Sequence, residues 1–395
     1  MHPLLRRARD FEAELIQLRR DLHRHPELSF REVRTAAIAA ERVEALGYEV
    51  RRGVGRTGVV AELRNGAGPV VALRADMDAL PIDEENDVDY RSTVPGVMHA
   101  CGHDAHVAML VGAARLLAEA RMRGELPPGT VRLLFQPSEE ASDEEGLSGA
   151  SRMIDDGAID GVNAIFGLHI GAHLEAGKLF VRSGPIMAGS DAFAAVVRGM
   201  SAHAARPHEG IDAVVLAAHA VLACQNAVAR RIPPGAAGVV SIGTIEGGRA
   251  ENVVADAVAL RGTIRYFDDD VREALHAELR RAFDVPRALG GEAELVILPG
   301  YPPVVNDPGM CELMTNAAAE TLGAEAVAEL EPWMGAEDFA FFLRRVPGCF
   351  AWLGAALDPA REHHHPRFDV DEGALVRGAS VLAACALRAL GELGS

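Results

Sequence analysis

Residues 98–106 read MHACGHDAH: three histidines, a cysteine and an aspartate within nine positions. Such a run admits three chemistries. Cys101 could be a nucleophile, which requires a base beside the thiol. It could be a metal ligand, with imidazole and carboxylate partners drawn from elsewhere in the chain. The run could also be a polar turn with no chemistry at all. A second cluster, PSEE at 137–140, sets two glutamates side by side. Successive strand residues point to opposite faces, so both glutamates reach one ion only where a strand has ended. There a division of labour is natural, one carboxylate binding metal while the other moves a proton from water to a leaving group. The same pair would serve equally as the acidic start of a solvated helix.

The elements that must position these residues are legible from periodicity. Short β-branched runs (TGVVAEL, PVVALRA, TVRLLFQP, AIFGLHI) read as buried strands, and helical stretches such as 104–122 lie between them. Strand and helix in alternation imply an α/β layer with a largely parallel sheet. In such sheets ligands sit beyond the carboxyl ends of the strands. RADMD (74–78), PSEE, GLHI (167–170) and REHHHP (361–366) all fall where a predicted strand ends. Their side chains therefore converge on one edge although they span most of the chain. That convergence favours a site over a turn, and a metal over a Cys–His pair. The metal reading recruits His169, one of Glu139 and Glu140, and one histidine of 363–365. Sulfur, imidazole and carboxylate together suit Zn²⁺, and then Co²⁺, Mn²⁺ or Ni²⁺. A thiolate can also bridge two cations, which gives a purpose to one cysteine among nitrogen ligands.

From Asp191 the pattern changes to a strand, a helix over roughly 210–231, two strands, a helix opened by Asp268–Asp270, and the strand EAELVILPG. The order β-α-β-β-α-β is ferredoxin-like. The chain then returns to the α/β pattern. The expectation is a smaller α+β domain, 188–301, inserted into a larger one built from 1–187 and 302–395, with Gly- and Pro-bearing junctions.

Composition excludes some partners. Net charge is −18 over 395 residues, with the acids spread along the chain, and nucleic acid needs a basic surface instead. Five irregularly spaced cysteines form no disulfide framework, which suits a reducing, cytoplasmic setting. Residues 1–28 read as a charged amphipathic helix without an apolar signal-peptide core. The run GASVLAACALRAL, interrupted by Arg388, reads as a packed helix too short to cross a bilayer, so no membrane partner is expected.

Nine blocks then occur in order: RRDLHRHPELSF, ALRADMDALPI, HACGHDAHVAML, LLFQPSEE, FGLHI, SAHAARPHEGIDAV, RAENVVADAVALRGTIR, GAEDFAFF and HHHPRFDVDE. Together they resemble the M20 metallopeptidase family, in the amidohydrolase branch that holds N-acyl-amino-acid, hippurate and auxin-conjugate hydrolases. The resemblance covers essentially the whole chain. It implies a catalytic domain holding two divalent metal ions and an inserted lid that often dimerises, hence a homodimer or higher homo-oligomer. By motif position the ligands are Cys101, His103, Glu140, His169 and His364. His364 is chosen because the family's ligand stands two residues before a proline, here Pro366, and His363 is the alternative. Glu139 becomes the general base and Asp76 orients a ligand. His203 matches a histidine that approaches the scissile carbonyl, in some members from a partner subunit; Ala202 stands where glycine is usual. Asn252 and Arg265 match contacts to a substrate carboxylate, although Arg265 also reads as a solvated strand-edge residue. The implied reaction is metal-dependent hydrolysis of an N-acyl amino acid to a carboxylic acid and a free amino acid, with Glu139 deprotonating a metal-activated water. A dipeptidase or carboxypeptidase on the same scaffold is the alternative. Among other conspicuous residues, His23 and His25 read as packing at a helix end, and His106 as flanking the site. Glu337 and Asp338 read as a helix start or as support for the ligands, and Cys224, Cys311, Cys349 and Cys385 as core.

Overall fold

The computed structural model describes residues 1–394. The chain divides into two compact units, one formed by Met1–Gly184, Val305–Glu331 and residues 338–394, the other by Pro185–Val304 and Pro332–Glu337. The short return of 332–337 to the second unit has no signal in the hydrophobic pattern.

The first unit carries an eight-stranded sheet. Its strands are β1 (Glu49–Val54), β2 (Gly58–Asn65), β3 (Val70–Asp76), β4 (Gly129–Gln136), β5 (Ala164–Gly171), β6 (Leu179–Val181), β7 (Val327–Glu329) and β8 (Gly348–Gly354). Across the sheet they run β1-β2-β4-β3-β5-β8-β6-β7. The central four, β4, β3, β5 and β8, are mutually parallel, whereas β1 and β2 pair antiparallel with their neighbours and β6 runs antiparallel to β8 but parallel to β7. Every residue of β5 and β8 is buried, as continuous apolar runs require when both faces of a parallel sheet are covered. The consequence for function is geometric. Four adjacent parallel strands end at one edge, and the chain leaves that edge at Asp76, Gln136, Gly171 and Gly354.

Helices cover the sheet: α1 (Glu12–Arg24), α2 (His103–Met122), α3 (Pro308–Leu322) and α4 (Ala374–Leu393). Helix α2 packs against α1 and α4. Sixteen of its twenty residues are buried, the signature of a helix that is covered all round. Gly112 permits the close crossing, because a Cβ there would stand 2.8 Å from that of Ala379 and 3.0 Å from Leu15. Helix α4 runs longer than the apolar stretch read from sequence, since it includes Arg377, and Arg388 stays within it by bonding Glu320 and Glu392. By length and composition both α4 and the segment Ala213–Arg231 of the second unit could cross a membrane. Most of α4, however, is buried in the protein core.

In the second unit four strands lie in the order Glu292–Leu298, Gly189–Arg198, Ala257–Tyr266, Gly238–Gly247, every pair antiparallel. Helices Ala213–Asn226 and Asp269–Ala288 pack together and on the sheet around Phe193, Leu216, Leu260, Leu275 and Phe283. Numbered in chain order, the strand order is 4-1-3-2, with the two helices between strands one and two and between strands three and four. Asp269–Ala288 begins at Asp268, whose carboxylate accepts the N–H groups of Asp270 and Val271 and so satisfies two donors that have no partner inside the helix.

Candidate metal centre

The turn CGHD connects the catalytic edge to α2. Gly102 has φ +88° and a Cβ there would stand 2.4 Å from the Ile170 side chain. Only glycine lets the chain reverse here, which puts Cys101 and His103 on either side of the turn. After β4, Ser138 takes φ +45° and its N–H is accepted by Glu32, so the strand has ended before Glu139 and Glu140. His169 lies near the end of β5, inside the strand and not beyond it. His364 sits in the loop after β8, at φ +57°.

Hydrogen bonds decide which atoms of these side chains face one another. A neutral imidazole has one donor and one acceptor nitrogen. His103 Nδ1 stands 3.3 Å from Asp78 Oδ1, while its buried Nε2 has no hydrogen-bond partner among the described residues. His169 Nδ1 donates to the carbonyl of Ile170 at 2.8 Å, and its Nε2 lies 3.5 Å from Cys101 Sγ. Two ligands of one tetrahedral zinc, at about 2.3 Å for sulfur and 2.0–2.1 Å for nitrogen, stand roughly 3.6 Å apart. His364 Nε2 lies 3.2 Å from Glu140 Oε1. Ligand atoms of Cys101, His103 and His169 lie within 4.8 Å of one another, as do those of Cys101, Glu140 and His364, and those of His103, Glu139 and Glu140. Cys101 belongs to two of these groups, so one sulfur can serve two cations.

His106 also clusters with Asp76 and His103, but both its nitrogens are engaged. Nε2 accepts the N–H of Ile170 at 2.8 Å and Nδ1 lies 2.5 Å from Asp76 Oδ1. It therefore braces the site and leaves no lone pair for an ion. His363, next to His364, has Nε2 3.2 Å from the N–H of Ala172 and Nδ1 3.7 Å from Cys101 Sγ.

The electrostatics express a deficit of positive charge. Burial, then the charges of Glu140, Glu139 and Asp76, push the Cys101 thiol well above its ordinary value. Burial disfavours a charged His103, yet Asp76, Asp78 and Glu140 outweigh it and raise that imidazole to about 10. Burial and the neighbouring His106 and His363 hold His169 well below the usual range. A buried thiol that resists ionisation, a carboxylate cluster that seeks a cation and an imidazole kept neutral are the donors a divalent metal requires. The residues fit such an ion.

Two residues beneath the site were not singled out from sequence. Asp78 is buried and accepts the backbone N–H of Glu139 on Oδ1 and of Glu140 on Oδ2, both at 3.0 Å, together with the Ser29 hydroxyl and the His103 ring. One carboxylate thereby sets the PSEE turn and the tautomer of His103. Its signal was the spacing RADMD, two aspartates at i and i+2 just past a strand. Arg74, also buried, reaches Asp76 at 2.6 Å, Asp338 at 3.0 Å and Gln136 at 2.8 Å. Asp76 lies 3.7 Å from His103 Nε2 and grips His106. Asp338, read as a helix start or as support behind the site, is an anchor that accepts from Gln136 and from the N–H of Ala150; the helix that follows is one turn, Ala340–Leu343. His23 packs as expected, but it also bonds Asp104, the residue after His103, as does Arg19.

His203, Asn252 and Arg265 belong to the second unit. The 202–204 and 252–254 segments are zipped by Ala204 N–H to the Asn252 carbonyl and Val254 N–H to the Ala202 carbonyl. His203 and Asn252 are thus neighbours, both exposed. Arg265 is half-buried in a strand flanked on both sides, at Ser190 and Val239, so it is not an edge residue. Burial pushes its pKa down, and no carboxylate among the described residues pairs with it.

Thiolate, imidazole and carboxylate donors gathered at the carboxyl edge of an α/β sheet, with a second carboxylate beside them, define a metallohydrolase site. The sequence profile of peptidase family M20/M25/M40 matches residues 72–388. The chain belongs to that family, and it is a metal-dependent amidohydrolase. It is 40% identical to thermostable carboxypeptidase 2 of Saccharolobus solfataricus, over 96% of each chain. It is 39% identical to an N-acetylcysteine deacetylase of Bacillus subtilis, over 95% of this chain and 97% of that one. Among solved structures, a dinuclear metal-binding M20 peptidase from Bacillus subtilis superposes with a TM-score of 0.85 at 37% identity, covering 97% of this chain and 99% of the other.

Asp78→Asn tests the brace. An amide cannot accept on both heads, so the PSEE turn and His103 lose their common anchor, and metal affinity is expected to fall by roughly 10–100-fold. Competition against a chromophoric chelator measures it; unchanged affinity would contradict the role given to Asp78.

Proposed function

We propose that this enzyme hydrolyses the amide bond of N-acyl amino acids, with two divalent ions held by Cys101, His103, Glu140, His169 and His364. The observation that carries the reading is the pair Glu139–Glu140, which leaves one turn with both backbone N–H groups fixed on Asp78. Glu140 shares ligand groups both with Cys101 and His364 and with His103 and Glu139, and we assign metal binding to Glu140 and proton transfer to Glu139. His364 is preferred to His363 as ligand because His363 spends its lone pair on the Ala172 N–H. Bound metal supplies Lewis acidity toward water and the amide carbonyl; the mixed sulfur, nitrogen and oxygen donors favour zinc, with Mn²⁺, Co²⁺ and Ni²⁺ as substitutes.

Glu139 takes a proton from the attacking water as its oxygen bonds the amide carbon. It then returns that proton to the departing nitrogen as the C–N bond breaks. Asp76 and Asp78 hold His106 and His103 and stay charged throughout. Burial opposes that charge, but Arg74, His103 and His106 around Asp76, and His103, Ser29 and the Glu139 N–H around Asp78, keep both carboxyls below their ordinary range. His203 is proposed to donate to the oxyanion, a contribution worth roughly 10²–10³ in rate. Asn252 and Arg265 are proposed to hold the substrate carboxylate. A half-buried guanidinium with no protein carboxylate against it suits that task.

The deacetylase relative supports an acyl group on the amine; the carboxypeptidase relative supports the rival, a peptide substrate on the same ligands. The test is amino-acid release from N-acetyl, N-benzoyl and indole-acyl amino acids beside dipeptides, for the wild type and Glu139→Gln. Acyl-amino-acid cleavage that falls at least 10³-fold in the variant at unchanged metal content is expected. Cleavage of dipeptides alone would install the rival, and an active Glu139→Gln would remove the base.

We also propose that the second unit acts as lid and dimer surface in a cytoplasmic protein. Supporting this, Val214, Val215, Leu222 and Ile245 are exposed apolar side chains of that unit, and all five cysteines are free thiols. Sedimentation velocity is expected to report a dimer, and a monomer at micromolar concentration would end that part of the reading.

A further inference from the structure

The histidine run 363–365 holds one proposed ligand, and its neighbour has a defined geometry that the reaction leaves unexplained. His363 Nε2 faces the Ala172 N–H at 3.2 Å. A backbone N–H can only donate, so Nε2 carries the lone pair and Nδ1 carries the proton. That proton is directed at Cys101 Sγ, 3.7 Å away. The ring is not loosely held. It meets the rings of His169, His173, Trp352 and Phe368 at centroid separations of 5.4, 5.9, 6.0 and 5.1 Å, the first three edge to face. An imidazole boxed on several sides, with one nitrogen pinned by the backbone, is a preorganised donor to sulfur. Among the described residues His363 is also absent from the groups of three or more side chains whose ligand atoms lie within 4.8 Å of one another.

We propose that His363 is a positioning residue that donates an Nδ1–H···S hydrogen bond to the Cys101 thiolate and acts on the metals through it. The inference rests on the reading of Cys101 as a ligand. A donor aimed at a thiolate withdraws electron density from sulfur, so the thiolate gives less charge to the ions it binds and leaves them stronger Lewis acids. A thiolate shared by two cations is where such tuning acts on both at once.

Side-chain length gives a clean test. Asparagine carries its amide at the δ position and can keep a donor where Nδ1 stands. Glutamine carries its amide at the ε position and cannot, while phenylalanine preserves the packed ring and deletes the donor. Holoprotein loaded with Co²⁺ reports the sulfur directly through its thiolate-to-cobalt charge-transfer absorption, identified by its disappearance in Cys101→Ser. The proposal expects that band to move to lower energy in His363→Phe and His363→Gln and to stay near its wild-type position in His363→Asn. An unshifted band in His363→Phe, with or without a loss of activity, would overturn it. So would the loss of one cobalt equivalent at saturation, which would make His363 a ligand. A wild-type protein that binds cobalt with no thiolate band would instead overturn the ligand reading of Cys101 beneath it, an outcome distinct from both.

Discussion

An imidazole can give a metal only one lone pair, and what meets its other nitrogen decides which. Of the histidines at the catalytic edge, His103, His106, His169 and His363 each have one nitrogen set by a backbone group or an aspartate. The stretch 170–172 at the end of β5 does most of this. The Ile170 carbonyl takes the proton of His169 Nδ1, the Ile170 N–H fills the lone pair of His106, and the Ala172 N–H fills that of His363. Asp78 does the same for His103. Two histidines are left with Nε2 toward the cluster, and two are left as donors to Asp76 and to the Cys101 sulfur. Backbone groups in a buried strand cannot turn over, so this sorting costs nothing at the moment of reaction.

The sheet makes that strand end available. With β4, β3, β5 and β8 parallel and adjacent, their exits deliver the PSEE turn, Asp76 and Asp78, His169 and the histidine loop to a single edge. Beneath it the buried Arg74 joins two of the exits, at Asp76 and Gln136, and ties them to Asp338. Removing one partner of so buried an ion pair typically costs about 3–5 kcal/mol, and here the loss would also release Asp76 from its place against His106. Stability and geometry are served by the same bonds, which is why the polar network lies directly under the donors.

Much of this was legible from residues alone. Alternating strand and helix predicted the parallel core, the β-α-β-β-α-β order predicted the second sheet, and strand-end clusters predicted which side chains would gather. The unread part depended on contacts across long sequence separations. Asp78 belongs to that part because the groups that donate to it are the backbone N–H groups of Glu139 and Glu140, distant in sequence, which no side-chain pattern marks. Arg265 was open to reading as a solvated edge residue because pairing on both sides of its strand is a property of the sheet. His364 was chosen over His363 only through the resemblance, by its place before Pro366, because three consecutive histidines differ in what their nitrogens meet and the sequence does not display that.

The central claim is that this donor cluster binds two divalent ions and that amide hydrolysis depends on them. The most direct measurement is a stoichiometric titration of chelator-stripped protein with Zn²⁺, following bound metal and N-acetyl-amino-acid cleavage in the same samples. The account predicts two tight equivalents per chain, an inactive stripped protein and full activity by the second equivalent. Cleavage that persists in metal-free protein, or that is unrelated to metal bound, would contradict it.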